Sequence, residues 1–305
     1  MESALAAACC FVGLLFAAAS PTPTPRATPS PKPVATATPK PRPTGTPQPA
    51  PTVRPRPTAT PVPTATARPD NDALRATLIG RSQELRDIMA YSLGTGPMKI
   101  AFIGGMHGAP EANSAWLVWE LMHYFETQPE FVPGDMTLLF LPEANPDGLA
   151  NGIRELADGV DLNRNWPTPD WSPSSFGPHG PQQGGGGLAP MSEPETVTLA
   201  NWILSTQPTI VLSYHSAGGL VMGGSSALSL GLVDAYLAGT QSYVYREWIY
   251  YPVTGDFAQW CESLGIPTVE VELWDHLDPD VERNLAGVLN VLQAIEAILA
   301  HKAPY

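Results

Sequence analysis

Cysteine is scarce in this chain, and so is positive charge over most of its length. Three cysteines occur among 305 residues, and two of them, Cys9 and Cys10, lie in an apolar N-terminal stretch. If that stretch is removed, Cys261 has no partner for an internal disulfide. Between residues 70 and 305, nine basic residues stand against 28 acidic ones. Phosphate binding needs a basic face, so this balance argues against nucleic acid as a partner.

Two common catalytic motifs are also missing. The stretch GGSSALS lacks the second glycine of the G-x-S-x-G motif, which disfavours a serine hydrolase. The glycine run at residues 184–187 lacks the Lys-Ser/Thr pair of a phosphate-binding loop. We therefore expect this run to form a flexible lid or loop.

The long uncharged run of this chain lies at its N-terminus, over residues 3–20. It resembles the apolar core of a secretory signal and ends in small residues suited to cleavage, although Glu2 stands where a basic residue is usual. A cleaved signal, an uncleaved N-terminal anchor and a misassigned start codon all fit residues 1–20. We expect the protein to be secreted and extracellular, or tethered to the outer face of the cell membrane.

Residues 21–69 contain 17 prolines and seven basic residues but no acid. Such a segment buries too little apolar surface to offset the entropy of ordering it, and its frequent prolines favour an extended backbone. We expect a disordered Pro/Thr-rich linker that serves either as a stalk or as an inert tail. Residues 70–305 are numerous enough for a single catalytic domain.

Two kinds of apolar stretch alternate along residues 70–305. The short runs typical of buried strands are KIAFIGG, MTLLFLPEA, TIVLSYHS and TVEVEL. Helical spacing occurs in EANSAWLVWELMHYF, from about residue 194, and from about residue 278 to residue 300. Ser192 and Glu195 have the spacing of a capping box at the start of the second helix. The alternation predicts an α/β domain with a mixed, mostly parallel twisted sheet covered by helices on both faces.

Polar residues stand at the ends of four predicted strands, where the chemistry of such sheets gathers. They are His107, the NPDG turn at residues 145–148, His215 and Glu272. With Glu111, the two histidines offer two nitrogens and one oxygen, the ligand set of an open catalytic zinc site. Three further histidines are interpreted as structural or surface residues: His123, His179 and His301.

Eight stretches, in order along the chain, form a recognisable pattern: IGRSQELRDI, GGMHGAPEANS, PEANPDG, GVDLNRNW, MSEPET, SYHS, YYPVTGDFAQW and TVEVEL. The pattern resembles the zinc metallocarboxypeptidases (funnelins), especially their short bacterial branch. That branch includes murein-peptide amidases and peptidases that cleave γ-D-glutamyl-diaminopimelate bonds. The resemblance implies a carboxypeptidase-like fold, one zinc ion and a peptide or peptidoglycan stem-peptide substrate. We expect the protein to be a monomer.

The same resemblance implies the metal chemistry. His107, Glu111 and His215 correspond to the zinc ligands, although three residues separate His107 from Glu111 where the family usually has two. Asp161 corresponds to the acid that orients a ligand histidine by accepting its other ring N–H. Its alternative role is a local turn cap. Glu272 corresponds to the general base, which takes a proton from the attacking water and delivers it to the leaving amine.

Four further residues are implied to bind the substrate or to polarise it. Arg164, with Asn163, corresponds to the anchor for a terminal carboxylate, which a guanidinium can hold with two hydrogen bonds. Arg154 corresponds to the arginine that polarises the scissile carbonyl. Tyr251 corresponds to the mobile tyrosine that closes over the substrate, with the adjacent Tyr250 as the alternative.

Two acids raise the question of specificity. Period-two alternation places Glu270 on the same strand face as Glu272, about 7 Å away. The family usually has a smaller or neutral residue at the position of Glu270. Asp256 falls in a loop that shapes the pocket for the released residue. We expect these acids to select a basic group, either Lys/Arg or the distal amine of diaminopimelate. The alternative is that Glu270 pairs structurally with an arginine.

The function favoured by the sequence is that of a zinc metallocarboxypeptidase, a hydrolase that cuts the amide bond next to a C-terminal residue with Glu272 as general base. Two alternatives stay open. One is a murein-peptide amidase in wall recycling, and the other is a catalytically weak domain that binds wall peptides.

Overall fold

An eight-stranded sheet forms the centre of the domain. The structure is a computed structural model that describes residues 73–240 and 242–300, so the expected targeting segment and linker lie outside the described residues. The strands are β1 (Arg75–Arg81), β2 (Asp87–Gly94), β3 (Met98–Ile103), β4 (Met136–Leu141), β5 (Ser174–Gly177), β6 (Gly180–Gln183), β7 (Ile210–Ser216), β8 (Leu220–Gly223), β9 (Val244–Tyr245) and β10 (Thr268–Leu273). All but β5 and β6, which pair as a separate hairpin, belong to the central sheet.

The α-helices of the described residues connect these strands. They are α1 (Ala112–Thr127), α2 (Pro146–Asn151), α3 (Pro194–Thr206), α4 (Ala227–Gly239), α5 (Phe257–Ser263) and α6 (Val281–Ala300). In this part of the chain, no helix combines the length and the apolar character needed to cross a membrane.

The central strands run parallel in the order β4, β3, β7 and β10. The outer strands β1 and β2 add antiparallel at one edge, and at the other edge β8 is antiparallel to β10. Every residue of β4 and β7 is buried, as expected for apolar strands in a sheet covered on both faces. The predicted mixed, mostly parallel sheet is confirmed.

Helices cover both faces of the sheet, and the side chains of a strand alternate between two apolar cores. In β3, Ile100 and Phe102 pack into one core, while Ala101 and Ile103 pack into the other. The first core includes residues of α1, α4 and α6, and the second includes residues of α3 and α5. Burying a large apolar side chain contributes about 1.5–3 kcal/mol, so these two cores hold the strands in place. The predicted covering of both faces is confirmed.

The start of α3 differs from the prediction. Glu193, not Ser192, occupies the N-cap position, and its side chain makes no capping hydrogen bond. Ser192 instead donates its hydroxyl to the Glu193 carboxylate. Glu195 accepts the backbone N–H of Gln83 at 2.8 Å, so a distant loop uses the carboxylate that a capping box would need.

The glycine run at residues 184–187 is a packed support and not a flexible lid. Gly185, Gly186 and Gly187 are buried. The carbonyl of Gly185 accepts the backbone N–H of Asp161 at 2.9 Å. The carbonyl of Gly186 accepts the side-chain N–H of Asn165 at 2.8 Å and the indole N–H of Trp171 at 3.0 Å. Glycine is needed at position 186 because a Cβ there would meet the backbone of Ser172 and Pro173.

We predict that Gly186→Ala destabilises the domain. An added Cβ would lie 1.9 Å from the carbonyl oxygen of Ser172, so the backbone must shift. Such overpacking costs about 1–3 kcal/mol and should lower Tm by several degrees in a thermal melt. Gly134→Ala is the matched control, because a Cβ there meets nothing within 4 Å. Equal melting temperatures for the two variants would contradict the packed-support role.

Candidate metal centre and substrate cavity

The three predicted zinc ligands meet at one end of the sheet. His107 follows β3, His215 is the second-last residue of β7, and Glu111 ends a short 3-10 turn over Ala109–Glu111. All three side chains are buried. Parallel pairing of β3 with β7 brings the first two elements side by side, and the turn brings the carboxylate to them.

A single glycine absorbs the extra residue between His107 and Glu111. Gly108 has φ 51° and ψ −144°, a conformation that glycine adopts without strain. A Cβ at this position would lie 2.1 Å from the carbonyl oxygen of Ile153. That same carbonyl accepts the backbone N–H of Ala109 at 3.1 Å. The turn therefore docks on a neighbouring loop and returns Glu111 to the side of His107.

The donor atoms of the three residues fit one zinc ion. Glu111 Oε1 lies 3.0 Å from His107 Nδ1, which lies 3.1 Å from His215 Nδ1. Glu111 Oε2 lies 3.5 Å from His215 Nδ1. Tetrahedral zinc with bonds of about 2.0–2.2 Å separates its ligand atoms by roughly 3.3–3.5 Å. Within the described part of the chain, this is the one group of three such residues close enough to hold a metal.

Asp161 has the contacts that both of the roles considered for it require. Its Oδ1 lies 3.2 Å from His107 Nε2, the ring nitrogen that faces away from the donor cluster. It also accepts the backbone N–H of Asn163 at 2.8 Å, which caps a 3-10 turn. Burial alone would raise the pKa of Asp161, but the charges of His107, Arg154 and Arg164 hold it well below its usual range. Asp161 is therefore a carboxylate that can fix the orientation of the His107 ring.

Arg154 lies directly against the metal-binding carboxylate. Its guanidinium donates to Glu111 and approaches Asp161 Oδ2 at 3.4 Å. Burial would raise the pKa of Glu111, but His107, His215 and Arg154 together hold it well below its usual range. Both acids are thus ionised and paired, as buried charges must be. The Nε of Arg154 has no partner among the described residues, so this guanidinium keeps a spare donor.

A cavity of about 860 Å³ opens over this cluster. Of the residues predicted for the site, all but Asp161 line it: His107, Glu111, Arg154, Asn163, Arg164, His215, Tyr251, Asp256, Glu270 and Glu272. The structure therefore brings together residues separated by more than 160 positions. Their individual roles stay predictions.

The predicted carboxylate anchor is held by its own loop. Asn163 Oδ1 accepts the backbone N–H of Phe257 at 2.8 Å, which turns the amide nitrogen away from that contact. Arg164 Nη1 donates to the carbonyl of Asn163 at 2.7 Å. The Arg164 guanidinium carbon lies 5.9 Å from the ring centre of Tyr251. Tyr250 is 58% exposed at the cavity rim, so the ring that covers Arg164 belongs to Tyr251.

Three of the predicted site acids line the cavity without a cation at ion-pair distance among the described residues. Burial, followed by the charges of Glu111 and Glu270, raises the pKa of Glu272 well above its usual range. Burial and the charge of Asp256 raise the pKa of Glu270 to about 8. Burial also raises the pKa of Asp256. Glu270 forms no ion pair within the described residues, so the alternative of a structural pair with an arginine finds no support here.

Some cavity residues were not predicted. His276 lines the wall beyond β10, three residues after the strand ends. His179, interpreted as a structural or surface residue, is exposed but also lines the cavity. Trp248, Tyr245 and Arg246 reach it from the segment before Tyr251. Position after a strand end could have pointed to His276, whereas loop residues carry no such signal. His123 is on the exposed surface, and His301 lies outside the described residues.

We predict that Asp161→Asn weakens zinc binding about 10- to 100-fold, the usual effect of losing a carboxylate that orients a ligand histidine. Competition with a chromophoric chelator would measure the affinity. Asp234→Asn, an exposed acid on α4, is the control and should bind zinc like the parent. Equal affinities for both variants would show that Asp161 acts only as a turn cap.

Comparison with known proteins gives a consistent picture. Residues 64–227 match the zinc carboxypeptidase family. Murein peptide amidase A of Escherichia coli K12 is 31% identical over 158 residues, which are 49% of this chain and 63% of that protein. The chain thus spans less than two thirds of the length of that relative.

Two solved structures have a similar fold. Murein-tripeptide amidase from Escherichia coli O157 superposes with a TM-score of 0.55 at 22% identity, over 72% of this chain and 91% of that one. Bovine thrombin-activatable fibrinolysis inhibitor superposes with a TM-score of 0.62 at 19% identity, over 74% and 91%. The family match covers more than half of the chain and includes the three residues that fit a zinc ion. The chain belongs to the zinc carboxypeptidase family.

Proposed function

We propose that this protein is a zinc-dependent metallocarboxypeptidase, which hydrolyses the amide bond next to a C-terminal residue. The observation that carries the proposal is one cavity shared by a metal-binding cluster, an unpaired carboxylate and a guanidinium. Glu272 is the register partner of His215 on the neighbouring strand, and Arg164 lines the same cavity. These are the groups needed to activate water and to hold a terminal carboxylate.

Glu272 supplies the proton transfers in this proposal. Zinc held by the His107 cluster would polarise the scissile carbonyl and make a water molecule more acidic. The Oε2 of Glu272 has no partner in the described part of the chain, so it is free to hold the attacking water. Glu272 takes a proton from that water and gives it to the leaving amine. Burial and the neighbouring acids raise its pKa, which makes the Glu272 carboxylate a stronger base for this transfer.

The arginines act on the two negative charges of the reaction. Arg164 and the amide nitrogen of Asn163 hold the substrate carboxylate, which selects a C-terminal residue. Arg154 stabilises the negative charge that develops on the scissile oxygen. Both guanidinium groups are almost fully buried, so their charges act with little screening by water.

A murein-peptide amidase is the second candidate function. Its support is the name of the relative with 31% identity, murein peptide amidase A. Its substrate would be a stem peptide in which the released residue is diaminopimelate. The chemistry of Glu272 and Arg164 is the same in both cases, and only the group held in the pocket differs.

The acids of the pocket support a preference for a cationic released residue. Glu270 and Asp256 share the cavity with Arg164, which holds the carboxylate of that residue. A lysine, an arginine or the distal amine of diaminopimelate would place its positive charge between these two acids. That charge would form an ion pair with Glu270, which has none among the described residues.

We also propose that the domain works outside the cytoplasm, either secreted or tethered by its N-terminus to the outer face of the cell membrane. The support is the composition of residues 1–20 and of the proline-rich linker. Proteolysis of intact cells would test this, since an external domain is released or degraded and a cytoplasmic one is protected.

We predict that Glu272→Gln lowers kcat at least about 100-fold and leaves zinc content unchanged, because the amide cannot accept the proton. Zinc-loaded protein is incubated with a peptide library and with muropeptides, and products are identified by mass spectrometry. Glu247→Gln, on the exposed rim of the same cavity, is the control. Turnover that survives Glu272→Gln would refute the mechanism. Binding without turnover by the parent would leave a wall-peptide-binding domain.

We predict that the preference for C-terminal Lys over Phe grows as pH rises from 6 to 9. With its pKa at about 8, Glu270 is neutral at pH 6 and negative at pH 9, so attraction for a cation appears only at the higher pH. Glu270→Gln should lower kcat/KM for Lys about tenfold at pH 9, spare Phe, and flatten the pH dependence of the ratio. Glu247→Gln again serves as control. A preference for Phe that Glu270→Gln leaves unchanged would end this idea.

A further inference from the structure

His276 is a cavity residue to which the proposed chemistry gives no role. Its side chain is exposed and lines the cavity close to the metal-binding cluster. Its Nδ1 lies 2.9 Å from Ser216 Oγ, and Ser216 directly follows the ligand His215. The backbone N–H of Ser216 donates to Glu111 Oε2 at 3.1 Å. A short chain of contacts therefore ties the imidazole to the backbone of the metal site.

The hydrogen-bond partners of Asn113 and Ser216 determine which ring nitrogen of His276 carries the proton. The amide nitrogen of Asn113 lies 2.6 Å from the carbonyl of Asp275 and 3.1 Å from that of Asp278. Carbonyls only accept, so these contacts take the N–H groups and leave Asn113 Oδ1 facing Ser216 Oγ at 2.9 Å. The single hydroxyl proton of Ser216 goes to that oxygen.

Ser216 Oγ must then accept from its other neighbour, the Nδ1–H of His276. A neutral imidazole carries one N–H, so the proton on Nδ1 leaves Nε2 as an acceptor. The carboxylates of Glu111 and Glu272, which line the cavity beside His215, already have roles in the proposed chemistry. The Nε2 of His276 is an acceptor to which that chemistry gives no role.

The strand register places His276 beyond the metal-binding cluster, on the side away from the acidic pocket. Along β10, Glu270 precedes Glu272, and Glu272 is the register partner of His215. Ser216 lies one residue further along β7, and His276 is bonded to it. The row formed by His215 and Glu272 thus lies between the acidic pocket and His276. A substrate whose released residue enters the pocket can extend its retained part past this row toward His276, which lines the same cavity.

We propose that Nε2 of His276 accepts a hydrogen bond from an amide N–H in the retained part of the substrate, upstream of the cleaved bond. This inference rests on the proposed function, because it requires an amide substrate to lie across the row formed by His215 and Glu272. It adds a binding residue on the side of the cavity opposite the carboxylate anchor.

The test removes the donor and the acceptor separately. Two peptides ending in lysine differ only by an N-methyl group on the residue that supplies the scissile carbonyl. Calorimetry measures their binding to zinc-loaded full-length Glu272→Gln protein at pH 8. With His276 present, methylation should weaken binding roughly 3- to 10-fold, the worth of one neutral hydrogen bond.

His276→Asn keeps a donor for Ser216 but has no atom at the position of Nε2. It should bind the unmethylated peptide roughly 3- to 10-fold more weakly and show no further penalty for methylation. His276→Gln can place a carbonyl oxygen near that position and should recover part of the affinity. His123→Asn, on the exposed surface of α1, should behave like the parent.

Equal methylation penalties in the His276 and His276→Asn proteins would overturn the proposal, and so would failure of the parent to bind the unmethylated peptide. Nitrogen-15 chemical shifts give a readout without substrate: Nε2 should be unprotonated in the free protein, and a protonated Nε2 would also overturn it. Turnover by the wild-type protein is measured separately. If the wild-type protein turns over substrate but the methylation penalty does not depend on His276, this inference alone is wrong. If the penalty depends on His276 but no turnover occurs, the proposed hydrolysis is wrong.

Discussion

Parallel pairing between β7 and β10 is the constraint on which the cavity depends. The register sets Glu272 beside His215 and Glu270 beside Ser213, so the proposed metal ligand, base and pocket acid occupy fixed rows. Two cores, one on each face of the sheet, hold that register. Because side chains alternate along a strand, a slip of one residue would turn both glutamates into an apolar core. The side chains of the site are thus positioned by two apolar cores that extend well beyond the site itself.

Charge pairing separates acids that look equivalent in the sequence. Glu111 and Asp161 lie against histidines and Arg154, and their pKa values are held low. Glu270 and Glu272 have no cation at ion-pair distance in the part of the chain that the structure describes, and burial raises their pKa values. The first two are therefore suited to holding a metal and its ligands as permanent anions. The other two are suited to exchanging a proton or meeting a cation, because either event relieves the cost of a buried charge.

The sequence predicted the sheet and its covering helices because these follow from apolar periodicity. It predicted the zinc-binding family because eight stretches, in order along the chain, resemble the pattern of that family. His107, His215 and Glu272 each terminate or lie near the end of an apolar run, so their convergence follows from topology. What failed depends on loop packing. The glycine run was expected to be a flexible lid or loop, but Gly185, Gly186 and Gly187 are buried, and Gly186 accepts hydrogen bonds from side chains 21 and 15 residues away. The contact of His276 with Ser216 could not be predicted because the two residues are 60 positions apart.

Acidic residues far outnumber basic ones in the domain, and this imbalance bears on the choice of substrate. An acidic surface repels a peptide C-terminus, whose carboxylate must nevertheless reach Arg164 at the cavity wall. A substrate end with an additional amine has less net negative charge, so the surface repels it less. Inside the cavity the same amine would meet Glu270 and Asp256, which both line it. Long-range repulsion and local attraction therefore favour the same class of substrate, a C-terminal residue with a cationic side chain, although either effect alone would leave the choice open.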